Sequence, residues 1–193
     1  MDLKRGILFV VSGPSGAGKS TLIERFLKQD KQSTFSVSYT TREKRENETE
    51  GKDYYFVDRD TFLEMIKNDE FLEWETVHEN LYGTPKKEVL NALKKGKDIF
   101  LDIDVNGALK IKKTYPEACL IFIEPPSREE LKKRLTLRGE KKIELRLKRF
   151  DKEIEKKHAF DYNIVNDNLE KAYNDFIKIV ENVRGLKNGK DNR

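Results

Sequence analysis

The segment from Gly13 to Ser20 is the clearest candidate for chemistry in this chain. Its sequence, GPSGAGKS, fits the pattern G-x-x-x-x-G-K-[ST], with an apolar strand-like run before it and a helical pattern after it. In this setting backbone N–H groups surround phosphate, the lysine reaches the terminal phosphates of a nucleoside triphosphate, and the next hydroxyl can bind Mg²⁺. The residues expected at this site are Gly13, Pro14, Ser15, Gly16, Ala17, Gly18, Lys19, Ser20 and Thr21.

Two acidic residues that follow an apolar run are candidates to hold the metal ion. The run 99–101 ends at Asp102, and Asp104 lies two positions further on. Side chains two apart on a strand point to the same side, so we predict that both carboxylates point the same way. We expect Asp102 to bind Mg²⁺ together with Ser20. A GTPase is not expected, because the chain contains no Asn-Lys-x-Asp guanine-reading motif.

Short apolar runs alternate with helical patterns along most of the chain. The runs 7–11, 99–101 and 120–123 are continuously apolar, which is typical of strands buried on both faces of a parallel sheet. This alternation predicts an α/β fold, a P-loop NTPase-type parallel sheet flanked by helices. Helices are predicted at 19–28, 84–95 (with Thr84 as N-cap and Pro85 as first residue), 105–114, 127–138, 141–157, and after a cap at Asp167-Asn168.

Residues 36–84 depart from this alternation. Strand-like segments at 36–39, 54–57, 71–77 and 81–82 are interrupted by one short helix at about 59–68. The pattern predicts a small mixed-sheet insertion in the parallel core.

The composition restricts where the protein acts and what it binds. The chain has 39 Lys and Arg and 35 Asp and Glu residues, a net charge of +4, which is not the signature of a dedicated nucleic-acid binder. No apolar stretch is long enough for a signal peptide or a membrane span, so we expect a soluble, cytoplasmic protein with no membrane partner. The stretch 128–158 holds 13 basic and 7 acidic residues. That charge fits either a solvated helical face or a mobile arm that meets phosphate.

Motifs beyond the phosphate loop resemble those of the guanylate kinases, over roughly residues 5–184. They are SVSYTTR (36–42) with Arg45, Glu48, Gly51 and Tyr54, then FLEW (71–74), YGT (82–84), LDID (101–104) and IVND (164–167). The resemblance implies reversible transfer of the γ-phosphate of ATP to GMP, and to dGMP, in purine nucleotide metabolism and GMP recycling. It also implies a mixed-sheet GMP-binding insertion and a helical lid at residues 127–157, called the lid segment below.

The residues that the resemblance assigns to GMP have suitable chemistry. Arg42 and Arg45 can both contact the dianionic phosphate. The Glu73 carboxylate can accept from guanine N1–H and the amino group, whereas adenine has no donor at N1. The complete expected set is Ser38, Arg42, Arg45, Tyr54, Glu73, Tyr82, Thr84 and Asp104.

By resemblance, the lid segment supplies arginines to the transferring phosphates. The expected catalytic residues are Lys19, Arg134, Arg138 and Arg146, and Asn166 is expected near the base of ATP. Arg149 shares a helix face with Arg146. It has no clear counterpart in the family and is expected to be only a surface residue.

The resemblance also divides the chain into segments. They are a core with the phosphate loop (1–36), a GMP-binding domain (37–86), core (87–126), the lid segment (127–157), core (158–186) and a frayed tail (187–193). The oligomeric state stays open between a monomer and a homodimer.

Two alternative functions fit part of the sequence. A kinase for AMP, UMP or CMP would share the core and lid, but not the combination of Ser38, Glu73 and Thr84. A non-enzymatic interaction module related to guanylate kinases usually has a damaged phosphate loop, whereas the loop is intact in this chain.

Overall fold

The computed structural model contains both strands and helices and describes residues 5–77 and 79–190, with side chains through residue 187. The strands are β1 (Leu8–Ser12), β2 (Ser33–Phe35), β3 (Tyr39–Thr40), β4 (Tyr55–Phe56), β5 (Phe71–Val77), β6 (Asn80–Pro85), β7 (Asp98–Asp102), β8 (Cys119–Glu124) and β9 (Tyr162–Val165). The helices are α1 (Lys19–Gln29), α2 (Arg59–Lys67), α3 (Lys86–Lys94), α4 (Val105–Thr114), α5 (Arg128–Leu137), α6 (Ile143–Ile154) and α7 (Leu169–Lys190).

The central sheet is parallel, with strand order β2-β7-β1-β8-β9. Strand β1 is buried throughout. Phe9 and Val11 pack with residues of α1 and α7, whereas Leu8 and Val10 pack with residues of α3 and α4. Both faces of the strand are covered, which is why its sequence is continuously apolar. The predicted α/β parallel sheet is confirmed, and its carboxyl edge gathers the loops that follow β1, β7 and β9.

A second, mixed sheet has strand order β4-β3-β6-β5 and its own small core of Phe62, Phe71 and Leu81. The strand predicted at 36–39 is wrong. Residues Ser33–Phe35 pair with β7 in the central sheet, and the chain then crosses to pair Tyr39–Thr40 with β6. The strand-forming residues are thus divided between two sheets, a long-range effect that the local sequence does not encode.

The helix predicted to begin at Thr84 and Pro85 begins later, at Lys86. Both residues are the last of strand β6, where Thr84 pairs with Glu73 of β5. The Thr84 hydroxyl donates to the Glu73 carboxylate instead of capping the helix. Cross-strand pairing therefore decides the structure here, although a Thr-Pro sequence is also typical of a helix start.

The lid segment is a pair of helices, α5 and α6, that share a core of Leu131, Leu135, Leu147 and Phe150. Helix α5 has the predicted cap, since the Ser127 hydroxyl accepts from the Glu130 N–H at 3.1 Å.

The last helix, α7, runs to Lys190, so residues 187–190 are helical and not the frayed tail predicted for them. The remainder of that predicted tail, 191–193, lies outside the described residues. None of the helices in the described part of the chain is long and apolar enough to cross a membrane.

Candidate active site

The phosphate loop connects the carboxyl end of β1 to helix α1. Gly18 precedes the helix at φ 96° and ψ 17°, a left-handed conformation that favours glycine. The Lys19 ammonium donates to the carbonyls of Gly13 at 2.8 Å and Pro14 at 3.2 Å. The lysine is therefore folded over the loop, beside the unpaired N–H groups that begin every helix, and this arrangement suits a bound phosphate.

Asn166, expected near the base of ATP, supports the loop from behind. Its buried side-chain amide donates to the Ala17 carbonyl at 2.8 Å. The backbone carbonyl of Asn166 accepts from the Arg134 guanidinium of the lid segment at 2.9 Å. A Cβ atom at Gly18 would lie 2.3 Å from the Asn166 amide nitrogen, so glycine is also required there for space. A contact between Asn166 and the base stays a prediction.

Ser20 and Asp102 lie together at the mouth of the loop. The Ser20 hydroxyl donates to Asp102 Oδ2 at 3.0 Å, and Lys19 Nζ is 3.8 Å from Asp102 Oδ1. Hydroxyl and carboxylate oxygens fit Mg²⁺, which usually takes one or two protein ligands and completes its shell with water and phosphate oxygens. Among the described residues there is no group of three or more His, Cys, Asp or Glu side chains that could hold a metal by itself. Binding of Mg²⁺ by Ser20 and Asp102 stays a prediction.

Asp104 is not on the strand, contrary to the prediction for it. Strand β7 ends at Asp102, and Asp104 is the N-cap of α4, where its Oδ1 accepts from the Gly107 N–H at 2.8 Å. Asp104 Oδ2 accepts from Arg149 at 3.2 Å. The two carboxylates consequently belong to different elements, because β7 ends at Asp102 and the chain is already the N-cap of α4 at Asp104, where the sequence suggested a continuous strand.

Arg42 and Arg45 lie on the loop that connects β3 to β4. The Arg42 guanidinium forms a two-pronged contact with the Glu48 carboxylate, at 2.7 and 3.0 Å. The Arg45 N–H also donates to Glu48, at 2.9 Å. Partial burial opposes ionisation of Glu48, but these hydrogen bonds lower its pKa overall. Glu48 thus orients the Arg42 guanidinium and holds the backbone of the loop at Arg45, a role that its spacing of three from Arg45 could have indicated.

Two tyrosines extend this basic site. The Tyr54 and Tyr82 rings meet edge to face with centroids 5.8 Å apart, and the Arg42 guanidinium lies 5.4 Å from the Tyr54 centroid. Burial raises the pKa of Tyr54, so its hydroxyl remains protonated and able to donate.

Glu73 lies deep in the second sheet, with 9% of its surface exposed. The Thr84 hydroxyl donates to its Oε1 at 2.6 Å. Burial raises the pKa of Glu73 to about 7; the charges of Asp104 and Glu75 add to the effect, while Thr84 and Lys110 oppose it. Ser38, the residue before β3, is equally shielded. Glu73, Thr84 and Ser38, which are predicted to contact guanine, are called the recognition site below, and Glu73 is called the recognition carboxylate.

The arginines of the lid segment occupy different environments. Arg134 bonds to Glu130 and to Asn166, which places it beside the phosphate loop. Arg146 pairs with Glu140 at 3.5 Å, and Arg138 is exposed at the end of α5.

The expectation that Arg149 is only a surface residue is wrong. Arg149 is partly buried and pairs with both Asp104 and Glu153. Sequence reasoning missed these contacts because Arg149 and Asp104 are 45 positions apart.

The phosphate loop and the parallel sheet place this chain among the P-loop nucleotide-binding proteins. Comparison with known proteins narrows that class. The chain belongs to the guanylate kinase family, whose model matches residues 5–183.

Individual relatives agree with this assignment. A guanylate kinase of Carboxydothermus hydrogenoformans is 51% identical over 181 residues, covering 92% of this chain and 89% of the relative. One of Thermus thermophilus is 48% identical, covering 91% and 81%. The crystal structure of guanylate kinase from Anaplasma phagocytophilum has 37% identity and a TM-score of 0.77, and covers 92% of this chain and 86% of that one.

Proposed function

We propose that this protein transfers the γ-phosphate of ATP to GMP, reversibly, giving ADP and GDP. The observation that carries the proposal is the buried Glu73–Thr84 pair in a chain with an intact phosphate loop. Guanine presents N1–H and an amino group side by side, and one carboxylate can accept from both. A purine without a proton on N1 would leave that carboxylate unpaired, which disfavours it strongly. We extend the proposal to dGMP, because none of these contacts involves the sugar.

The other side chains near the second sheet are proposed to hold the phosphate of GMP. Arg42 and Arg45 supply positive charge, and Tyr54 and Tyr82 supply hydroxyl donors. Glu48 would keep Arg42 in place until GMP arrives, since it already orients the guanidinium. The proposed contacts to the base come from Ser38, Glu73, Thr84 and Asp104.

Lys19 and the loop N–H groups are proposed to bind the phosphates of ATP, and Asn166 to support the loop near its base. Ser20 and Asp102 would hold Mg²⁺, which when bound neutralises phosphate charge and orients the triphosphate. Arg134, Arg138 and Arg146 of the lid segment are proposed to stabilise charge on the transferring group and to exclude water as the lid closes.

The reaction needs no nucleophile from the protein. A phosphate oxygen of GMP is already anionic near neutral pH and can attack the γ-phosphorus in line, so positioning and charge stabilisation supply the catalysis. Basic side chains and backbone N–H groups, which make up the proposed site, can supply both the positioning and the charge stabilisation.

Turnover with ATP and each of GMP, AMP, UMP and CMP, measured with a coupled ADP assay, tests the proposal. We expect kcat/KM for GMP to exceed that for AMP, UMP or CMP by at least about 10³-fold, because the bases of these other nucleotides would leave buried polar groups of the protein unpaired. A faster reaction with AMP, UMP or CMP would assign the protein to a different kinase. An absence of turnover with all four would favour a non-enzymatic interaction module.

A further inference from the structure

Arg149 of α6 joins the lid segment to the core of the protein. Its Nη2 donates to Asp104 at 3.2 Å, and its Nε donates to Glu153 at 2.6 Å. The three side chains are well shielded, with exposed fractions of 24% for Arg149, 15% for Asp104 and 11% for Glu153. A guanidinium with two carboxylate partners is held in one orientation. Arg149 is therefore fixed in position, unlike a charged side chain that is surrounded by solvent. The contact of Arg149 with Asp104 and Glu153 is called the Arg149–Asp104 joint below.

Asp104 connects this joint to the recognition carboxylate. Its Oδ1 caps α4 by accepting from the Gly107 N–H. The first turn of α4 lies so close to Glu73 that a Cβ atom at Gly107 would be 2.6 Å from Glu73 Oε2. The charge of Asp104 also reaches Glu73 and opposes its ionisation. The guanidinium of Arg149 is thus positioned to balance the negative charge next to the recognition site.

We propose that Arg149 is a positioning residue that couples the position of the lid segment to binding of the guanine base. It acts through Asp104, holding that carboxylate in the orientation that its bonds to Arg149 and to the Gly107 N–H define. A carboxylate oxygen has two lone pairs, so Asp104 Oδ2 can accept from Arg149 and from a base amino group at the same time. The inference rests on the proposed function, since it takes GMP as the acceptor.

The same helix face links this joint to the proposed catalytic arginine. Arg146 and Arg149 are three residues apart on α6 and therefore neighbours on its surface. Further along the chain, Lys156 donates to Asn106 of α4 at 2.7 Å, a second contact between the lid segment and the same helix. The lid segment therefore contacts the first turn of α4 through two side chains, Arg149 at Asp104 and Lys156 at Asn106.

Calorimetric titration of GMP and of Mg·ATP into variants of the full chain tests the proposal. In Arg149→Gln we expect the Kd for GMP to rise about tenfold, the usual effect of losing a charge-assisted hydrogen bond, with the Kd for Mg·ATP unchanged. Arg149→Lys, which keeps the charge, should recover most of the GMP affinity. Arg128→Gln is the matched control, because Arg128 lies in the same segment and pairs only with the exposed Asp151 in the described structure. It should bind both nucleotides as the wild type does.

A double-mutant cycle tests whether Arg149 acts through Asp104. In an Asp104→Asn background the Arg149→Gln change should have little further effect on GMP binding. An undiminished effect there would overturn the proposal. So would unaltered or tighter GMP binding by Arg149→Gln, equal weakening of both nucleotides, or the same loss in Arg128→Gln.

Folding and the proposed function are checked separately. Thermal unfolding shows whether each variant is folded, and Arg149→Met, which keeps the packing of the aliphatic stem, replaces Arg149→Gln if that variant does not fold. Failure of the wild-type protein to bind GMP would contradict the proposed function itself. Normal GMP binding by the wild type with no selective loss in the Arg149 variants would overturn only the inference drawn from this joint.

Discussion

At the scale of single residues, Lys19 is the group on which the proposed chemistry depends most. Its ammonium is held over the phosphate loop by two backbone carbonyls. Because it is partly exposed and its partners are carbonyls that water can also satisfy, its loss should not disturb the fold.

We expect Lys19→Ala to lower kcat by at least about 10³-fold, since it removes a charge that stabilises the transferring phosphate. The thermal midpoint should stay within a few degrees of the wild-type value. Lys28→Ala, an exposed position on the same helix, is the control and should have wild-type kcat. Near-normal turnover by Lys19→Ala would contradict the proposed role of the loop.

Glu73 is expected to make GMP binding dependent on pH. Its pKa of about 7 lies above the ordinary value of 4.5 because the carboxyl group is buried. Between these two pH values, Glu73 therefore binds more protons in the empty folded protein than in the unfolded chain. The contribution of this group to the free energy of unfolding therefore falls as pH rises through that window. Guanine needs the ionised carboxylate, so GMP should bind with proton release, and its affinity should weaken as pH falls below about 7.

Calorimetry of GMP binding in buffers with different ionisation enthalpies measures that release. The Glu73→Gln variant still shows any proton release that comes from the GMP phosphate. The difference in the number of protons released between the wild type and this variant therefore measures the contribution of Glu73. Glu64→Gln, an exposed acid on α2 of the same region, should behave as the wild type. Identical proton release by the wild type and Glu73→Gln would refute ionisation of Glu73 on binding.

At the scale of elements, the approach of α4 to β5 is set by a missing side chain. Gly107 has no Cβ, and this allows the first turn of α4 to lie against the Glu73 carboxylate. Gly185 in α7 is another helical glycine, but a Cβ there would meet nothing within 4 Å. The two positions form a matched pair for one substitution.

We expect Gly107→Ala to raise the KM for GMP by about tenfold or more, because the new methyl group displaces the recognition carboxylate. Gly185→Ala should instead leave the KM unchanged and raise the free energy of unfolding by about 0.5–1 kcal/mol through the better helix propensity of alanine. Steady-state kinetics and urea unfolding of both variants measure these effects. A wild-type KM in Gly107→Ala would show that Glu73 is not confined by α4.

Element types were more predictable from the sequence than element boundaries. Continuous apolar runs predicted the parallel sheet, since burial on both faces imposes that pattern. The local signals at Thr84–Pro85 and at Asp104 were ambiguous, because the same residues suit a strand end and a helix start. Pairing with Glu73, eleven positions away, decides the first case, and capping of α4 decides the second.

The candidate site was predictable where its residues form local motifs. The phosphate loop could be named because its residues are contiguous, and the residues expected to contact GMP could be named because each lies in a short motif that resembles the guanylate kinases. The Arg149–Asp104 joint and the support of the loop by Asn166 could not, since they depend on packing between elements far apart in the chain.

At the scale of the whole molecule, two small units are attached to the parallel core. The lid segment and the second sheet each have a separate hydrophobic cluster. Units with their own cores can move as bodies, so substrates that contact both should draw them together. A single ligand that carries both bases should therefore be able to occupy both nucleotide sites at once.

The most direct test uses a bisubstrate ligand in which adenosine and guanosine are joined by five phosphates. Its Kd is measured by calorimetry with Mg²⁺ and compared with that of the analogue carrying adenosine at both ends. We predict that the guanosine-containing ligand binds at least about 100-fold more tightly, because only its second base can pair with Glu73. Equal affinity for the two ligands would contradict the claim that a triphosphate site and a guanine-reading site share one cleft.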